Sequence, residues 1–121
     1  MPKKDSFLRG RIKSIGFAIK GAWFLLKSEV SLQVQAIIAV LISIAGFYFN
    51  ISPTEWILQT LTIALVISAE GFNTAIEELA DFIQPNQDSK IGFIKDIAAG
   101  AVFFTAIAAL IVACIIYIPK F

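Results

Sequence analysis

Glu70, Asn73 and Glu77 recur at three- and four-residue intervals in a segment that reads E-G-F-N-T-A-I-E-E. On a helix turning about 100° per residue they fall on one stripe, and Asp81 extends it to an arc of roughly 80°. Glu78 sits at the margin of that arc. Two carboxylates and a carboxamide on one face suit a hard cation, and a carboxylate can also take a proton from an alcohol. The chain has no histidine. Any general base must then be a carboxylate, a lysine or something weaker. The stripe follows fourteen uncharged residues, Trp56 to Ala69. Acids at the edge of such a run are costly to keep and point to a functional site.

Three more charged residues belong at the same level. Glu29 precedes one apolar run, and Lys95 and Asp96 precede another. Mg²⁺ takes one or two carboxylates together with phosphate oxygens, and a lysine complements a phosphate. Metal, cation and base are the parts of a phosphoryl-transfer site. The sequence contains neither a G-x-x-x-x-G-K-[ST] loop nor a kinase-type glycine-rich loop. Bound ATP would therefore require a different fold. The plainer reading is that these groups form salt bridges between helices, for example Lys95 with Glu77. Residue types alone leave both readings open.

The elements that must position these groups are apolar helices. The chain has 121 residues, enough for one small domain, and 58% of them are hydrophobic. Its mean hydropathy is +0.81. Soluble domains contain about 45–50% apolar residues. The excess lies in blocks: 25 uncharged residues from Val30 to Thr54, 14 from Trp56 to Ala69, and 23 from Ile97 to Pro119. A spanning helix needs roughly 20 apolar residues. The first and third runs suffice alone, and the second does so only if its helix carries Glu70 to Glu77 into the interface. We expect an all-α membrane protein with a surface helix over about 6–28 and spans within helices at about 29–49, 54–83 and 93–118. A soluble bundle would leave most of its helix faces without a polar side.

The surface helix is expected from Leu8, Ile12, Ile15, Ile19, Trp23 and Leu26, which recur at helical spacing beside Arg9, Lys13, Lys20 and Lys27. That pattern fits a helix lying in the interface with basic side chains reaching toward lipid phosphates. Gly10, Ser14, Gly21 and Ser28 form a third stripe of small residues suited to helix packing. Asn50 and Pro53 mark the first turn, and Gln84-Pro85-Asn86-Gln87-Asp88 the second. Seven basic residues and one acid precede Glu29, whereas the Asn50–Glu55 loop has no basic residue. The positive-inside rule then places the N-terminus in the cytoplasm. It also puts Glu70 to Glu77 and Lys95–Asp96 on that side, where ATP is found. No cleavable signal peptide is expected. The lone Cys114 reads as a small hydrophobe within a span.

The chain resembles the prokaryotic integral-membrane diacylglycerol kinase family, which includes undecaprenol kinases. The motif E-x-x-N-[ST]-A-I-E appears as Glu70 through Glu77, and K-D-x-x-[AGS]-[AGS]-A-V as Lys95 through Val102. Lys27-Ser28-Glu29 supplies the acid before the first span, and Gly16-Phe17 and Gly21 match the spacing on the surface helix. The resemblance implies a homotrimer in a bacterial cytoplasmic membrane, with composite sites between subunits that take MgATP and a lipid alcohol. Nucleic acid has no part in it. It implies Glu70 as catalytic base, and Glu29 and Glu77 as Mg²⁺ ligands. Around the nucleotide it implies Glu29, Asn73, Glu77, Lys95 and Asp96, with Phe17, Asn86, Gln87 and Asp88 added by ungapped spacing. Glu70 and Ala99 would meet the lipid substrate. The loop departs from the family's E-Y-H-x-L pattern. Gln35 stands where the diacylglycerol branch has a second acid, and Ile97-Ala98-Ala99-Gly100 looks more like the undecaprenol branch.

Two other classes compete with a lipid kinase. A non-enzymatic small membrane assembly or holin-like protein would have no need of Glu29, Glu70 and Glu77. A cation carrier would place its acids near the bilayer centre rather than at its edge.

Overall fold

The computed structural model describes residues 4–121, and these form four α-helices and one short 3₁₀ turn. Helix α1 spans Lys4–Ser28, α2 Val30–Tyr48, α3 Pro53–Ile83 and α4 Ser89–Tyr117. There is no strand among the described residues. Helices α2 and α3, and α4 with its terminal turn, are long and apolar enough to cross a membrane. Lys3, one of the basic residues behind the expected orientation, lies outside the described residues.

The α2–α3 hairpin is built by local chemistry. Asn50 adopts φ 52°, a left-handed conformation that asparagine tolerates. The reversal lets Ile51 N–H bond the Gly46 carbonyl at 3.1 Å and Asn50 N–H bond the Phe47 carbonyl at 3.3 Å. These two bonds satisfy carbonyls that the helix end would leave bare. Ser52 then caps α3. Its hydroxyl accepts the Glu55 N–H at 3.1 Å, while the Glu55 carboxylate accepts the Ser52 N–H at 2.9 Å. Pro53 follows at the first helical position, where its missing N–H costs nothing.

Helix α4 begins at Ser89, earlier than the expected Phe93, because Asp88 caps it. The Asp88 carboxylate accepts the Lys90 and Ile91 N–H groups at 2.9 and 3.2 Å. Four residues of extra helix thereby set Lys95 and Asp96 in the second turn of α4 rather than in its first. Helix α3 has 31 residues, about 46 Å of rise, against a hydrocarbon core of about 30 Å. Its last turns must leave the apolar layer; they carry Asn73 to Asp81, with Glu70 just inside its edge.

At the end of the bundle near Asn50, three spanning helices are tied together. The Tyr117 hydroxyl donates to Gln59 Oε1 at 2.6 Å and lies 3.0 Å from the Ile42 carbonyl oxygen. Gln59 Nε2 also donates to that carbonyl, at 3.4 Å. Around this joint Ile51, Ile116 and Tyr117 are buried against Ile42, Ala45, Phe49, Trp56 and Val112. Lys120 pairs with Glu55 at 3.1 Å beside it. Gly46 lies under the Trp56 ring, where a Cβ would meet ring carbons at 2.8 and 2.9 Å.

Helix α1 is different. Its Phe7, Ile12, Phe17, Ile19 and Trp23 side chains are all exposed. It is joined to the bundle at its C-terminal end, where Leu25 approaches Gly71 of α3 and the Gln33 amide donates to the Leu26 and Lys27 carbonyls at 2.9 and 3.0 Å. Gly46→Ala is expected to destabilise the fold by about 1–3 kcal/mol through overpacking against Trp56. Thermal unfolding in detergent micelles measures this, and an unchanged midpoint would show that the indole moves aside.

Candidate active site

The end of α3 away from the Asn50 turn buries polar side chains. Glu70 and Asn73 are each 8% exposed and Thr74 is 5% exposed, in a chain whose large apolar side chains mostly face outward. Inside the spans, Ser43, Thr62 and Thr105 turn their hydroxyls back onto carbonyls of their own helix. That local solution is open to a hydroxyl. A carboxylate or an amide on this stripe needs a partner elsewhere.

Two such partners are present. Asn73 Nδ2 donates to Glu77 Oε1 at 2.9 Å, one helical turn along the same stripe. Gln35 Nε2, on α2, approaches Glu70 Oε2 at 3.5 Å. Each amide spends its nitrogen on a carboxylate, and each is left with a buried carbonyl oxygen that has no partner, Asn73 Oδ1 and Gln35 Oε1. An unpaired buried acceptor carries a desolvation cost, so its presence calls for an explanation.

Glu29 is the joint between α1 and α2. Its backbone is extended at φ −100° and ψ 112°, and its side chain makes no capping hydrogen bond. Its N–H bonds the Leu25 carbonyl at 3.0 Å, and Leu25 is the residue that approaches Gly71. The corner that carries Glu29 is therefore tied to α3 through Leu25. Glu77 lies six residues beyond Gly71, about 9 Å further along the helix. Among the described residues of one chain, no three acidic or thiol side chains come together as a metal-binding group.

Lys95 donates to Asp81 Oδ1 at 2.6 Å, so the interhelical ion pair links α4 to Asp81 rather than to Glu77. Both partners are partly open to solvent, with side-chain exposures of 35% and 58%. Asp96 and Ala99 are exposed on α4, and Phe17 is exposed on α1. Asn86 and Gln87 are exposed in the loop, and Asp88 has the capping role already described. The donor chemistry fits a hard cation: a fixed carboxylate at Glu77, an unpartnered carboxamide oxygen at Asn73 and an uncommitted carboxylate at Glu29.

Sequence reasoning gave no site role to Gln35, and it did not anticipate that Thr74 is buried or that Gln59 pairs with Tyr117. The available signal was an amide inside an apolar run, since Gln35 and Gln59 both lie within stretches of spanning hydropathy.

Three helices of spanning length, one of them carrying the buried acid Glu70 toward its end, define a multi-pass membrane protein. The sequence profile of the family described as prokaryotic diacylglycerol kinase matches residues 16–117, and the chain belongs to that family. It is 35% identical over 108 residues to the undecaprenol kinase of Bacillus subtilis (strain 168), covering 89% of this chain and 88% of that protein. It is 27% identical over 108 residues to the diacylglycerol kinase of Escherichia coli (strain K12), covering 87% and 86%. The Shigella flexneri diacylglycerol kinase is similar to the same degree. The chain is thus an enzyme, a phosphotransferase with an alcohol acceptor.

The Lys95–Asp81 pair is exposed enough for solvent to screen it, so its loss should matter little to folding. Asp81→Asn is expected to leave the thermal midpoint in detergent unchanged. A large drop would make the pair a structural tie and favour the salt-bridge reading of this cluster.

Proposed function

We propose that this chain is an ATP- and Mg²⁺-dependent lipid kinase that transfers the γ-phosphoryl group to the hydroxyl of a membrane polyprenol. The observation that carries the reading is the buried Glu70 carboxylate, on one stripe with the Asn73–Glu77 pair. The polyprenol is favoured over diacylglycerol on two grounds. The undecaprenol kinase is the more similar of the named relatives, and an amide, Gln35, faces Glu70 where the diacylglycerol branch carries an acid.

Glu70 accepts the hydroxyl proton as the alcohol oxygen attacks the γ-phosphorus. The bond from that phosphorus to the bridging oxygen breaks, ADP leaves, and Glu70 later releases its proton to water. Asn73 fixes the Glu77 carboxylate in one orientation. The Lys95 ammonium faces the nucleotide phosphates, exchanging its exposed contact with Asp81 for them. Mg²⁺, held by Glu29 and Glu77, would offset phosphate charge. Burial helps Glu70, because a base that excludes water spends its proton affinity on the alcohol.

The basic N-terminal segment supports a cytoplasmic N-terminus, which puts the stripe on the side that holds ATP. Helix α1, exposed along most of its described length, would lie on the membrane surface. A homotrimer rests on the family resemblance. That resemblance implies composite sites between subunits.

Glu70→Gln is expected to lower turnover by at least about 10²-fold, the scale of a general base, while equilibrium ATP binding stays intact. ATP consumption stimulated by polyprenol in mixed micelles measures it, and wild-type turnover would exclude Glu70 as the base. Glu77→Ala is expected to shift the Mg²⁺ titration of the rate upward by about tenfold or more. An unchanged titration would remove Glu77 from the metal. ATP consumption that no lipid alcohol stimulates would reject the lipid-kinase reading itself.

A further inference from the structure

Nothing in the local sequence ends helix α1. From Ala22 to Ala45 the chain has neither glycine nor proline. The helix nevertheless breaks at Glu29, which is extended at φ −100° and ψ 112°. In an unbroken helix the Leu26 carbonyl would accept the Val30 N–H, and the Lys27 carbonyl the Ser31 N–H. The break takes both donors away. An interruption that costs two backbone bonds in a helix-competent run has to be held by other groups.

The Gln33 side chain supplies the replacement. Its Nε2 donates to the Leu26 carbonyl at 2.9 Å and to the Lys27 carbonyl at 3.0 Å. A primary amide carries two hydrogens, one for each carbonyl. The Gln33 backbone N–H bonds the Glu29 carbonyl at 3.0 Å. Gln33 thus holds the chain immediately before and immediately after the break. A second tie lies upstream. The Glu29 N–H bonds the Leu25 carbonyl at 3.0 Å. Leu25 alone is half-buried among the described side chains of α1, and it reaches Gly71, where a Cβ would lie 3.2 Å from its Cδ1. The Glu29 carboxylate takes no part in this bracing, since it makes no capping hydrogen bond.

We infer that Gln33 is a positioning residue: by capping the broken end of α1 it fixes the extended backbone of Glu29, and with it the direction in which that carboxylate faces the cation. This inference rests on the assignment of Glu29 to Mg²⁺. Without the amide donors, the Leu26 and Lys27 carbonyls regain protein partners when Glu29 turns helical. That rotation swings the carboxylate to a new direction and pulls Leu25 away from Gly71. In this role Gln33 touches neither the nucleotide nor the lipid alcohol, so its loss is read at the metal.

The test reads metal binding without turnover. Mn²⁺ binding to the purified full-length chain in micelles, with a non-hydrolysable ATP analogue, is followed by the electron paramagnetic resonance of the free ion. Gln33→Met keeps the length of the side chain and removes both donors. Its Mn²⁺ affinity is expected to fall about tenfold, the scale for a group that orients a metal ligand. Its KM for the polyprenol should stay within about twofold, since uniform lipid binding is untouched. Gln33→Arg should bring the affinity back to within about threefold of wild type, because a guanidinium donates to the same carbonyls. Gln33→Glu has the shape of glutamine but no donor, and it adds negative charge at the negative end of α1. It should bind Mn²⁺ no better than Gln33→Met. Charge alone predicts the reverse order, since an added acid attracts the cation and an arginine repels it.

Wild-type Mn²⁺ affinity in Gln33→Met overturns the inference, whether or not the thermal midpoint falls. So does a site in Gln33→Glu as tight as that in Gln33→Arg or tighter. If Gln33→Met cannot be purified, the comparison of Gln33→Arg with Gln33→Glu decides on the same terms. The two levels fail separately. Unchanged Mn²⁺ binding by Glu29→Gln removes that acid from the metal, whereas an indispensable Glu29 beside a silent Gln33 removes only the positioning role.

Discussion

A polar group surrounded by hydrocarbon must find its partner inside the protein, and that constraint arranges this chain. Its main expression is the joint of Tyr117, Gln59 and the Ile42 carbonyl, where one hydroxyl and one amide draw on three different helices. Apolar contact alone would hold these helices weakly, because lipid tails are as apolar as the side chains that would pack. The joint fixes α2, α3 and α4 at one end, and the small Gly46 lets Trp56 close over it. From that fixed end each helix projects a set distance, so the height of every residue at the other end follows from helix length.

The two ends of the bundle treat the same constraint in opposite ways. Near Asn50, donors and acceptors are matched, and the Glu55–Lys120 pair sits beside the capping box. At the Glu70 end, two amides give their nitrogens to carboxylates and keep unpaired oxygens. A structural site would have closed those contacts. Under the proposed function they stay open because their partners would arrive with the substrate hydroxyl, the nucleotide and the cation. The partly exposed Lys95 fits the same division, since the proposed exchange of Asp81 for a phosphate needs an ammonium that is not locked away.

The legible parts of the sequence were those governed by local rules. The Asn50–Glu55 turn, the apolar runs and the stripe of Glu70, Asn73 and Glu77 each depend on residues a few positions apart. The earlier start of α4 was also local, but Asp88 read as a loop residue because its neighbours Pro85, Asn86 and Gln87 favour turns. The partner of Lys95 was not legible, because Asp81 and Glu77 lie one turn apart on one stripe and spacing does not choose between them. Gln35 and Gln59 look equivalent in sequence, each an amide in an apolar run. One closes a structural joint and the other faces an acid.

What the sequence determined by itself was periodic: which segments are helical, which are apolar enough to cross a membrane, and which side chains share a face. A helix repeats every 3.6 residues whatever surrounds it, so these properties survive without the fold. The family followed from the same local motifs. Tertiary structure alone decided which polar atoms find partners: Gln35 with Glu70 across 35 positions, Gln59 with Tyr117 across 58, and Lys95 with Asp81. Those pairings depend on how helices are rotated and set against one another. Many weak contacts fix that rotation together, and no short stretch of sequence records it.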